Sequence, residues 1–78
     1  MTVSNYSSQA AIGIFIRPAG TSWNWSHDLL GADVISSGRA LDVNFDDGSG
    51  ACNFEIRVTG RPWTFIRDVC SDSRLDLN

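Results

Sequence analysis

Apolar residues recur at every second position in three stretches of the chain. Ile12, Ile14 and Ile16 alternate with Gly13, Phe15 and Arg17; Leu41, Val43 and Phe45 with Asp42 and Asn44; and Phe54, Ile56 and Val58 with Glu55, Arg57 and Thr59. A period of two gives an extended chain one apolar face, so each stretch predicts a half-buried β-strand. Turn residues fill the gaps. Ser36-Ser37-Gly38 precedes the second stretch, and Asp46-Asp47-Gly48-Ser49-Gly50 links the second to the third in the manner of a hairpin loop. Further short strands are expected near Val3-Ser4-Asn5, from Trp63 to Val69 and at Leu75 to Leu77. Between Pro18 and Ser37 the alternation stops. There Ser26-His27-Asp28-Leu29-Leu30 before Gly31 has the hydroxyl cap, first-turn acid and closing glycine of a single helical turn, expected as a lid against one end of the sheet. The pattern predicts one all-β domain over residues 1–78. Its expected form is a small antiparallel β-sandwich or partly open barrel of five to six strands, with one short helical turn in the 18–37 loop.

Cysteine placement adds a constraint. Cys52 and Cys70, the only two cysteines, lie symmetrically about Arg61 in a segment that reads as two strands joined by Gly60-Arg61-Pro62. Antiparallel pairing about that turn brings them face to face and predicts a disulfide. A chain of 78 residues buries only about 60% of its unfolded surface, so such a staple is useful to it. The same register sets Phe54 opposite Asp68, Glu55 opposite Arg67 as an ion pair, Ile56 opposite Ile66 and Val58 opposite Thr64. On that arithmetic a slip of one residue separates the cysteines, and the disulfide doubles as a register lock.

Charge and hydropathy exclude two kinds of partner. The net charge is −3, there is no lysine, and the six arginines are scattered. No clustered basic face exists for a phosphate backbone, so nucleic acid is not an expected partner. The longest apolar runs, such as 10–16, are far too short to span a membrane. A disulfide implies an oxidising compartment. The chain is therefore expected to be periplasmic or secreted, with a signal peptide that is not present in this sequence.

The cysteine segments carry a resemblance. Cys52-Asn53-Phe54-Glu55-Ile56-Arg57 and Asp68-Val69-Cys70 follow Trp25-x-x-Asp28-Leu29-Leu30-Gly31 and precede Ser73-x-Leu75-x-Leu77. This arrangement is similar to a group of small exported bacterial β-domain proteins, and covers most of the chain. The resemblance implies an exported location and a paired Cys52 and Cys70. It implies no catalytic residue and no ligand.

Candidate chemistry is sparse. His27, the one histidine, neighbours Ser26 and Asp28, but residues adjacent in sequence project in different directions and do not make a triad by themselves. Asp46 and Asp47 offer hard oxygen ligands of the type calcium prefers, without the spacing of an EF-hand. Trp23, Trp25 and Trp63 are many indoles for so small a chain. Trp23 and Trp25 share parity, so that together they suit either a plug at an open end of the sheet or a contact surface for a ligand or protein. The sequence thus reads as a non-enzymatic extracytoplasmic binding domain for a protein or surface ligand, monomeric or an edge-paired homodimer. The alternative is a small-ligand module taking calcium on Asp46 and Asp47 or carbohydrate on the loop tryptophans.

Overall fold

A computed structural model describes residues 1–46 and 48–78. It is all-β, and among the described residues no helix forms. Among the described residues six strands run in chain order: β1 (Thr2–Asn5), β2 (Ile14–Pro18), β3 (Ala40–Asp42), β4 (Asn53–Val58), β5 (Thr64–Asp68) and β6 (Arg74–Leu77). They make two three-stranded sheets and no closed barrel. One has the order β3-β1-β6, with β1 antiparallel to β3 and parallel to β6; the other is the antiparallel sheet β2-β4-β5.

The period-two positions explain the core. Ile14 and Ile16 of β2 and Phe54, Ile56 and Val58 of β4 are fully buried or nearly so, and meet Val3, Leu75 and Leu77 of the other sheet in one cluster. Val43 and Phe45 join that cluster from beyond β3. Ile12, in phase with Ile14, lies before the strand begins and is exposed. Strands β3 and β4 lie in different sheets, so residues 46 and 48–50 belong to an inter-sheet crossing and not to the expected hairpin. Burial of Val43 and Phe45 carries the chain across.

The β4–β5 hairpin forms, one residue out of the expected register. Asn53 faces Asp68, Phe54 faces Arg67, Glu55 faces Ile66 and Ile56 faces Phe65. Opposed residues share a face, so the choice of register decides which residues of β5 turn inward. The expected pairing points Ile66 inward together with Thr64 and Asp68. The observed one packs Phe65 and Val69 on the core and leaves Ile66 62% exposed. Two apolar side chains on that face outweigh one, and the Arg67 that comes with them opposite Phe54 lies over the Phe65 ring, its guanidinium 5.6 Å from the ring centre.

The disulfide survives this shift because Cys70 is not in the ladder. Cys52 accepts the Val69 N–H at 2.8 Å. The chain then bends into a turn in which Asp68 Oδ1 accepts the N–H groups of Cys70 and Ser71. The turn brings Cys70 back to a Cα–Cα distance of 5.2 Å from Cys52, and the two are bonded. The bond is therefore not the register lock that symmetry about Arg61 implied. Glu55 also has a different partner from the expected Arg67: it pairs with Arg17, opposite it on β2, at 2.6 Å.

The segment expected to hold a helical turn has another task. Backbone groups of Ile14 and Ile16 point away from β4, and residues 26–29 satisfy them. Ser26 and Leu29 N–H donate to the carbonyls of Ile16 and Ile14, while Ser26 Oγ and Asp28 Oδ1 accept the Ile16 and Ile14 N–H groups. The hydroxyl and acid that read as helix-capping residues thus cap a sheet edge. Only turns follow, with Gly31 N–H donating to the Asp28 carbonyl. Gly13 lies buried immediately before β2, and a Cβ there would sit 2.6 Å from Thr59 Oγ1 and 3.2 Å from the Phe15 ring. Gly13→Ala should lower stability by about 1–3 kcal/mol, read as a shift in the urea midpoint at unchanged slope.

Candidate functional site

Three tryptophans expected at a contact surface occupy three different environments. Trp25 is half-buried on the outer face of the β2-β4-β5 sheet, where alternation directs Phe15, Arg17, Glu55 and Arg57. The Arg17 guanidinium lies 4.3 Å from the centre of its ring, and that of Arg57 lies 5.3 Å from both the Trp25 and Phe15 rings. These contacts hold Trp25 on the sheet through ring quadrupole and guanidinium charge. Trp63 is 51% exposed in the turn before β5. Trp23 is 59% exposed, so neither it nor Trp25 plugs the core.

Arg17 anchors this loop. Its Nε donates to Glu55 Oε1, and its second nitrogen reaches the Trp23 carbonyl at 3.4 Å. The hydrogen bond from Arg17, joined by one from the Thr64 hydroxyl, lowers the pKa of Glu55. A carboxylate whose pKa is lower when folded adds stability above its unfolded pKa, and loses it as pH falls through the folded value. Glu55→Gln should therefore be less stable than the parent at neutral pH, and the gap should close on acidification. Because the pair lies at the surface the effect is small, and added salt should reduce it further.

Beside this anchored loop lies a cleft of about 480 Å³, lined by Trp23, Asn24, Ser26, His27, Asp46 and Ser49 with the Gly48 backbone. Two segments remote in sequence build it: the loop that caps the β2 edge and the inter-sheet crossing. It unites the exposed indole, the one histidine and Asp46, which sequence reasoning weighed as three unrelated features. Asp46 Oδ1 accepts the Gly48 N–H at 2.8 Å, so one carboxylate oxygen shapes the crossing turn. Asp47, the other calcium candidate, lies outside the described residues. Ser26 and Asp28 are spent on the β2 edge, and among the described residues no hydrogen bond joins the His27 ring to either.

Among the described residues, the one group with metal-ligand proximity is Cys52, Asp68 and Cys70. Both its sulfurs are committed to the disulfide, which leaves no thiolate for an ion. A second cleft, of about 520 Å³, lies between Thr2, Asp42, Asn44, Asp72 and Ser73. It is wide and shallow, and the Asp42 carboxylate is held by the Thr2 hydroxyl at 2.6 Å.

No protein-family model, curated protein or solved structure matches this chain.

Proposed function

We propose that this chain is a non-enzymatic extracytoplasmic binding domain, a small β-sandwich stapled by Cys52–Cys70, that takes its ligand in the Trp23 cleft. The observation that carries the reading is convergence: an exposed indole and hydrogen-bonding side chains from two remote segments meet in one depression. Its volume falls in the range of small-ligand sites. Its loop is fixed to the sheet by Arg17 and by four hydrogen bonds to the β2 edge, and recognition loops on a rigid scaffold lose little freedom on binding. An oxidising location is supported by the disulfide. Among the described residues, no helix is long and apolar enough to cross a membrane.

Amide chemical shifts of the full chain, recorded against fragments spanning polyols, aromatic acids, organic cations and short peptides, test the site without presuming the ligand. Perturbations should cluster at residues 23–27 and 46–49. The rival location is the open edge of β5, where Trp63 and Ile66 are exposed and a second chain has room to pair. Shifts clustering at residues 63–68, or dimerisation through that edge with none in the cleft, would overturn the reading. Location has its own check. Protein recovered from its native host should take up an alkylating agent at Cys52 and Cys70 only after reduction, and free thiols at the outset would remove the extracytoplasmic assignment.

A further inference from the structure

We infer that the Trp23 cleft recognises an uncharged saccharide, with a sugar ring stacked on the Trp23 indole and its hydroxyls held by Asn24, His27 and Asp46. The inference rests on the reading that this cleft is the ligand site, and names the class of ligand. Trp23 supplies the only apolar side chain among the described lining residues. One flat apolar surface ringed by polar groups matches a pyranose, which presents a face of C–H bonds and a rim of hydroxyls. An apolar peptide would need further hydrophobic contacts that the cleft does not offer.

Charge narrows the class again. Asp46 is the only acid among the described lining residues, there is no lysine in the chain, and the nearby Arg17 is engaged by Glu55 and Trp25. An anionic ligand would meet a carboxylate and no available cation. The planar groups present suit hydroxyls: the Asn24 amide donates and accepts, the two ring nitrogens of His27 offer further hydrogen-bonding positions, and Asp46 accepts. A quaternary ammonium is the nearest rival, since an indole and a carboxylate also attract cations. Such recognition typically uses a cage of several rings, whereas this cleft has one.

Titration of the full chain, followed by amide shifts, decides among these. The probes are glucose, galactose, mannose and N-acetylglucosamine with their disaccharides, then tetramethylammonium chloride and calcium chloride. At least one saccharide should saturate shifts at residues 23–27 and 46–49. Trp23→Ala should weaken it about tenfold, while Trp63→Ala leaves it unchanged. Trp23 is exposed, so an unaltered spectrum outside the cleft will confirm that its variant folds. If tetramethylammonium or calcium saturates the cleft and no saccharide does, the site stands and the ligand class is overturned. If Trp23→Ala binds sugar as well as the parent, stacking is overturned. If none of the probes, nor any fragment of the wider set, moves these amides, the reading of the cleft as a ligand site falls as well.

Discussion

Replacing Cys52 and Cys70 together by alanine should cost about 3 kcal/mol, the entropy regained by an unfolded chain whose loop between residues 52 and 70 is no longer closed. In a domain of this size that loss lowers the melting temperature by roughly 10–25 °C. The same shift should appear in the parent protein under reductant, and a urea titration would measure it at constant temperature. The structure adds a second expectation, opposite to the one that follows from symmetry about Arg61. Register is held by the inward packing of Phe65 and Val69 against the core, and Cys70 sits in the turn beyond the ladder. The double variant, kept cold enough to stay folded, should therefore retain cross-strand contacts between Ile56 and Phe65. Contacts between Ile56 and Ile66 in their place would show that the disulfide selects the register after all.

Asn5→Asp, a change of one atom, should be at least as damaging, at about 3–5 kcal/mol. Asn5 is 1% exposed and uses its whole amide. Nδ2 donates to the carbonyls of Gln9 and Ile35, each at 2.8 Å, and Oδ1 accepts the Ser7 N–H at 3.0 Å with the Ser7 hydroxyl at 2.6 Å. These bonds tie the end of β1 to the following turn and to the segment that bridges Ala11 with Ile35. A carboxylate keeps the volume and reverses the sense of two bonds, setting an anionic oxygen against two carbonyl oxygens at a position closed to bulk solvent. Burial favours the neutral acid, so the deficit should shrink as the pH falls and the carboxyl takes up a proton in the folded state. A deficit independent of pH would mean that the side chain escapes to solvent. Sequence reading placed Asn5 in the short strand expected near Val3-Ser4-Asn5 without expecting its burial, because a buried asparagine and an exposed one look alike until the carbonyls that surround it are known.

Much of the candidate site was hidden for the same reason. The indole of Trp23, the imidazole of His27 and the Asp46 carboxylate each drew notice by residue type, yet nothing in their spacing says that these three residues share a cleft. Trp23 and Trp25, equal by parity, part company because Arg17 and Arg57 lie on the sheet face where Trp25 can stack. That pairing depends on strands β2 and β4 being neighbours. Ser26 and Asp28 carry a helix-cap signature that is locally sound, but the same side-chain acceptors satisfy an open strand edge equally well.

What the sequence determined by itself is what depends on neighbours along the chain. Period-two alternation specified the buried faces of β2 and β4 at Ile14, Ile16, Phe54, Ile56 and Val58. The Cys52–Cys70 pair followed from their distance about a turn, which tolerates an error of one residue because a bend can make up the difference. Tertiary structure alone decided which strands pair, that β3 and β4 part into separate sheets, which face of β5 turns inward, and which loops meet around Trp23. Those choices compare the burial of whole sets of side chains contributed by distant segments. Phe65 and Val69 against Ile66 is one such comparison, and its terms exist only once the opposing surface has formed.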